Sequence, residues 1–304
     1  ILQRTNTIDY KSDDIETWTL DQLTDKVIKH YLLSLENRDS LIKTDSKTYE
    51  ETIKQGYSAR EIRPTLYDFL AQRAFQFFQS TEITLTRPAD FFQLKEAKYF
   101  GTAKEFVGLK VTSSDSLSFH YQAIVILQDW LKFRLNDNKQ LALVDLDLVR
   151  LQFVYSNSVH PDKDQLYLKA LERLQQENLN KEEYSEISYY IAQYYNARAV
   201  KYNFENELTY QFKYDKKKAL EICETAIEKY PKSFGAQMCN SLKASILSAS
   251  LNFTVENQLA PNQRFPLLVN YRNISKVYTM IGKLILNCLI NFTTNIMGIN
   301  FMNR

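Results

Sequence analysis

Apolar residues recur every three to four positions over most of this chain. Leu20, Leu23, Val27, Ile28, Tyr31, Leu32 and Leu35 share one helical stripe behind Thr19 and Gln22, which are spaced as a capping box, and predict a first long helix. Pro64 suits the first turn of a second, PTLYDFLAQRAFQFF, because its missing N–H would have no partner there. Leu66, Phe69, Leu70, Ala74, Phe77 and Phe78 are the expected buried face of that helix. Between about 80 and 113 the pattern breaks around Pro88, Gly101 and Gly108, which reads as a connector with a short helix near 90–97. Periodicity resumes over 116–135 and 139–156, with Asn136, Asp137 and Asn138 marking the turn of a helical hairpin. His160, Pro161 and Asp162 punctuate the next connection, and helices are predicted at about 163–177, 181–199, 214–229 and 233–249.

Hairpins in series raise the question of internal repeats. Ser188, Ile191, Ala192 and Tyr195 partly meet the first-helix pattern of a tetratricopeptide repeat. Ala219, Cys223, Ala226 and Pro231 fit its second helix better, since small side chains at those positions let helices approach closely. About fifteen extra residues separate the two, in NARAVKYNFENELTYQFKY, and Ser188 stands where a large ring is expected, so the region is tetratricopeptide-like with one degenerate repeat. Cys223 and Cys239 lie about equally far either side of the Tyr230–Pro231 turn. Antiparallel helices would bring them together, either as two small packed thiols or as a disulfide.

After Ser250 the period shifts from 3.6 towards 2. Leu251, Phe253 and Val255 alternate with polar residues, Phe265 to Tyr271 forms a second β-rich run interrupted by Pro266, and Ile274, Lys276, Val277 and Tyr278 begin a third. LAPNQ and YRN supply turns, and Pro266 belongs at a strand start or edge. Three strands cannot close a sandwich, so their apolar face and unpaired edges need a partner. The fold class is therefore mainly α, helical hairpins in a tetratricopeptide-like array, followed by a short incomplete β segment.

Composition agrees with long helices. The 304 residues include only 6 Gly and 6 Pro, about 2% each where about 7% and 5% are usual, so little of the chain is loop-rich or all-β. The 20 Tyr and 18 Phe are expected between packed helices. Lys plus Arg number 38 against 36 Asp plus Glu, for a net charge of +2, so no nucleic-acid footprint is indicated. The basic run Lys216, Lys217 and Lys218 reads as a solvated face. Three cysteines, Cys223, Cys239 and Cys288, make neither a disulfide framework nor a zinc site.

Starting at Ile1 without an initiator Met or a signal-like apolar run, the chain reads as a processed or cut product. Residues 284–303 carry no charge and are long enough to cross a bilayer, but Asn287, Asn291, Asn295, Asn300 and Asn303 argue against a span. His30, His120 and His160 are isolated in sequence, and no phosphate loop, nucleophile elbow or His-Glu-x-x-His is present. The carboxylate pairs Asp145/Asp147 and Glu182/Glu183 read as solvated charges on polar helix faces. Asn252, Asn273 and Asn291 head glycosylation-type triplets, which matter only in a eukaryotic secretory setting.

Three segments, IETWTLDQLTDKVIKHYLLSLEN, IRPTLYDFLAQRAFQFF and LNFTVENQLAPNQRFPLLVNYRNISKVYTMI, together resemble the N-terminal region of large alpha-2-macroglobulin-like proteins of Bacteroidetes bacteria. The resemblance runs over most of 15–283 and fades after Lys283. It implies a division into a helical region at 1–249, a truncated first macroglobulin-type β domain at 250–283 and a divergent uncharged tail at 284–304. It also implies an extracytoplasmic protein of the periplasm or cell envelope, membrane-associated only through an anchor outside this chain. Its partners would be the downstream macroglobulin domains and, through the full-length protein, proteases. The thioester motif of such proteins, Cys-x-Glu-Gln, is met by none of the cysteines here, Cys223 being followed by Glu224 and Thr225. No catalytic residue, metal ligand or cofactor is expected. Two rivals are an independent helical-repeat adaptor that binds a peptide or protein in its concave face, and a helical glycan-processing enzyme with two carboxylates facing across a cleft.

Overall fold

The computed structural model describes residues 14–53, 62–80, 91–115, 118–255 and 266–278. It is mainly helical, with ten α-helices and two strands among those residues. They fall into two compact units, 1–246 and 247–304.

The helical unit opens with α1, Leu20–Leu33, started by the Thr19/Gln22 capping box. Ile28 is buried, and Tyr31, Leu32 and Leu35 pack on the core, whereas Leu20 and Val27 from the same expected stripe are exposed. A short α2, Arg38–Lys43, follows, unforeseen in the hydrophobic pattern because six residues are too few to show a period. α3, Leu66–Gln79, begins two residues later than expected. Thr65 is its N-cap and Asp68 completes a capping box, so Pro64 precedes the helix instead of opening it. Its buried face is Tyr67, Asp68, Ala71, Ala74, Phe75 and Phe78, rotated from the expected one; Leu66, Phe69 and Leu70 are only half-buried.

Asp68 explains the rotation. One carboxylate oxygen accepts from Thr65 at the cap, and the other accepts from Trp130 Nε1 at 2.8 Å and faces Arg134 Nη2 at 2.5 Å. Trp130 and Arg134 lie on α5, Phe119–Asn136, and both are buried. The pair docks α3 against α5 by charge and shape together, and no apolar periodicity registers it.

In the connector, 81–90 lie outside the described residues. The helix expected near 90–97 is instead a 3-10 turn at Ala97–Phe100 followed by α4, Ala103–Val107. Arg150, fully buried on α6, Gln140–Asn157, pins this segment. Its guanidinium meets Asp147 at 2.7 Å and donates to the carbonyls of Tyr99 at 2.7 Å and Gly101 at 2.9 Å.

From α5 onward the expected hairpins are present. α7 spans Lys163–Glu177, α8 Glu183–Arg198, α9 Asp215–Lys229 and α10 Phe234–Leu247. Successive helices run antiparallel. Tyr155 near the end of α6 stacks on Tyr167 near the start of α7 at 4.3 Å, and Arg198 at the end of α8 forks onto Asp215 at the start of α9. The connector between α8 and α9 holds 3-10 turns at Ala199–Lys201 and Glu207–Phe212.

The tetratricopeptide-like positions are core positions: Ser188, Ile191, Ala192 and Tyr195 on α8 and Ala219, Cys223 and Ala226 on α9 are all buried. Ser188 replaces the expected ring because its hydroxyl donates to the Tyr184 carbonyl and receives Gln175 Nε2 from α7, each at 2.7 Å. α10 approaches α8 closely at Gly235. A Cβ on Gly235 would stand 2.1 Å from the Glu186 backbone nitrogen, so glycine is what permits this backbone contact.

The second unit contains β1, Ser250–Val255, and β2, Leu267–Arg272, antiparallel with Ser250 opposite Arg272 and Val255 opposite Leu267. Pro266 directly precedes β2 and Asn273 turns the chain after it with φ 54°. Residues 274–278 form no strand, so the third expected run is not part of the sheet. LAPNQ and the tail from 279 lie outside the described residues.

Gly235→Ala is expected to destabilise the chain by about 1–3 kcal/mol, because overpacking against backbone outweighs the helix propensity gained. Urea unfolding followed by circular dichroism measures it, and an unchanged or raised midpoint would contradict the close contact.

Candidate functional site

The residues singled out for chemistry are scattered. His30 is on α1, His120 on α5 with its ring edge against Phe153, and His160 in a turn where Nδ1 accepts from the Asp162 N–H. Among the described residues no group of three or more His, Cys, Asp or Glu could hold a metal. The carboxylates expected in solvent are partly engaged instead: Asp147 is buried against Arg150, Asp145 pairs with Arg63, and Glu183 is buried, while Glu182 is exposed. The run Lys216, Lys217 and Lys218 is exposed as expected, with Lys218 also donating to Tyr195 Oη at 2.7 Å.

Cys223 and Cys239 are brought together between α9 and α10 as free, fully buried thiols. Their proximity pulls the Cys223 thiol below its ordinary value, while the same neighbour and burial push Cys239 up. Cys239 Sγ also lies 3.7 Å from the Ser185 carbonyl oxygen.

The unit's concavities lie elsewhere. A cavity of about 270 Å³ is walled by Tyr155, Tyr167, Tyr190, Tyr194, Arg198 and Lys201. Tyr155 of α6 stacks on Tyr167 of α7, and Tyr194 of α8 meets both rings edge-on. Tyr155 donates to Asp164 at 3.0 Å and Tyr167 to Gln152 at 2.9 Å. Burial raises Tyr155, with the Asp164 charge adding to it, and burial likewise raises Tyr167. Burial works to raise Asp164 as well, but hydrogen bonds from Lys201 and Tyr155 outweigh it and hold the carboxyl below its usual range.

A larger cavity of about 670 Å³ adjoins the first, since Gln152 and Tyr190 line both. Gln72, Gln76 and Gln79, spaced i, i+4 and i+7 on one face of α3, form its wall, and Phe75, Trp130 and Phe153 its floor. A third, of about 470 Å³, lies between the 97–109 segment and α7, with Lys98, Lys169, Arg173 and Glu105 at its rim. The first and third cavities have one carboxylate each, Asp164 and Glu105, and the second has none. None therefore sets two carboxylates face to face.

The strand pair is the other conspicuous surface. Leu251, Phe253 and Val255 pair with Tyr271, Val269 and Leu267, so six apolar side chains share one face. Phe253 and Val255 are each 44% exposed and Tyr271 63%. The opposite face carries Ser250, Asn252, Thr254, Arg272, Asn270 and Leu268.

Sequence reasoning found the cysteine pair and the alternating strands. It missed the amide wall, because Gln72, Gln76 and Gln79 look like any solvated helix face until α6 and α8 are set beside them. No helix among the described residues is long and apolar enough to cross a membrane.

Raised folded-state pKa values mean that the unfolded chain ionises its tyrosines first. The stabilisation from neutral Tyr67, Tyr155 and Tyr167 is whole below their ordinary value of 10.0 and falls as pH climbs past it. Absorbance titration is expected to show these three ionising only with unfolding; reversible ionisation of all tyrosines near pH 10 in the folded chain would contradict their burial. For the thiols, alkylation in denaturant mapped by mass spectrometry should label Cys223 and Cys239 equally with and without reductant. Labelling that requires reductant would identify a bridge.

Comparison of the chain with models of known families, with curated proteins and with solved structures gives no match.

Proposed function

We propose that this chain is a non-enzymatic scaffold, the N-terminal helical region of an alpha-2-macroglobulin-like protease inhibitor, leading into its first sandwich domain. One observation carries the reading: an antiparallel strand pair with six apolar side chains on one face, four of them exposed, follows a helical unit with a core of its own. A two-stranded sheet is marginal in water by itself, and an apolar sheet face is ordinarily met by a second sheet about 10 Å away. In this reading the downstream β domain supplies that sheet, the helical unit acts as a platform, and protease capture belongs to the whole protein, outside the cytoplasm. The amide-walled cavity favours a second reading, an independent helical-repeat adaptor that takes a protein segment into its groove.

The test is expression of the chain with the coding sequence that continues its reading frame. Phe253→Asp with Val269→Asp is expected to cost the joined protein about 2–5 kcal/mol while shifting the unfolding of this chain alone by less than about 0.5 kcal/mol. An equal loss in both, or a frame with no β-rich continuation, would overturn the proposal.

A further inference from the structure

We infer that the groove formed by the two adjoining cavities is a binding site for an extended, uncharged stretch of polypeptide, held through its backbone. The inference rests on the adaptor reading and names its ligand class; the groove lies wholly within the helical unit.

Three observations point to this chemistry. The first is the supply of amides. Gln76, Gln79 and Gln193 line the groove, are exposed, and have no side-chain partner among the described residues. Gln152 has only its oxygen engaged, by Tyr167. Each primary amide offers donors and an acceptor together, matching the alternating N–H and C=O groups of an extended chain. Ammonium and guanidinium groups, which only donate, and carboxylates, which only accept, would not offer that match.

The second is electroneutrality. Arg63 pairs with Asp145, Arg198 with Asp215 and Lys201 with Asp164, the last two at 2.6 and 3.1 Å. Each cation on the groove wall is already balanced from within the protein, so the wall presents no unpaired charge to attract a charged ligand.

The third is that the aromatic faces are occupied. Tyr155 and Tyr167 stack on each other, and the Arg63 guanidinium lies 4.8 Å above the Trp130 ring. Phe153 is flanked by Phe75 and His120. On these rings a sugar or base, which binds by stacking on an open face, finds no platform, whereas Phe75 and Phe153 floor the larger cavity. With helix axes about 8–10 Å apart, the way from α3 across α6 to α8 is about 20 Å, the length of about six residues in extended conformation.

The probe is an array of N-acetylated, C-amidated decapeptides, one set without charged residues and one set with them, with hits measured by calorimetry against the full chain. Uncharged peptides are expected to bind with Kd below about 1 mM. The triple substitution Gln76→Leu, Gln79→Leu, Gln193→Leu should weaken binding about 10-fold or more with unchanged thermal melting, as should N-methylation of alternate backbone amides in the peptide. Phe253→Asp with Val269→Asp should leave binding intact, so failure here is distinct from failure of the sheet-completion proposal. No uncharged hit, preference for the charged set, equal binding by the triple variant or the N-methylated peptide, or displacement of the peptide by chitohexaose would each overturn the inference.

Discussion

An apolar side chain gains about 25 cal/mol for each Å² it withdraws from water, and the two units meet that constraint differently. In the helical unit, small residues are what let it be met. Ser185, Ser188 and Ala192 on α8, Ala219, Cys223 and Ala226 on α9, and Gly235 on α10 are all buried, and they let three helices approach closely enough to enclose Ile187, Ile191 and Tyr195. Among the described residues the strand pair has no comparable enclosure. Covering Phe253, Val255, Leu267 and Tyr271 fully would add on the order of 1 kcal/mol each, the gain on which the proposed joining role of the ribbon rests.

Charge is used in the helical unit to fix register. Asp68 serves the cap of α3 and the Trp130–Arg134 pair of α5 at once, and Arg150 ties the irregular 97–101 segment to α6. Such buried pairs contribute less to net stability than an apolar core, but removing one partner costs about 3–5 kcal/mol, so they select one arrangement over its neighbours. Having spent their charges internally, the walls of the groove are left with uncharged amides as the groups free to meet a ligand.

Legibility in the sequence followed the same division. Helices α5 to α10 and strands β1 and β2 were readable because their apolar periods are long and their punctuation is strong, as at Asn136–Asn138 and Pro266. The rotation of α3 was not, because Asp68 is buried by a partner 62 residues away, and neither was the 97–107 segment, whose place is set by Arg150. Leu20 and Val27 satisfied the helical period of α1 yet stay exposed, since a period shows which residues share a face and not where along it the neighbours end. The groove was illegible for a related reason: its glutamines become a wall only through the juxtaposition of α3, α6 and α8.

Amide hydrogen exchange on this chain, read by mass spectrometry, bears most directly on whether the helical unit is self-sufficient and the strand pair is not. Peptides covering α5 to α9 should stay protected over hours while residues 250–255 and 267–272 exchange far faster. Protection of the strands equal to that of α8 would contradict an uncovered sheet, and with it the need for a facing layer.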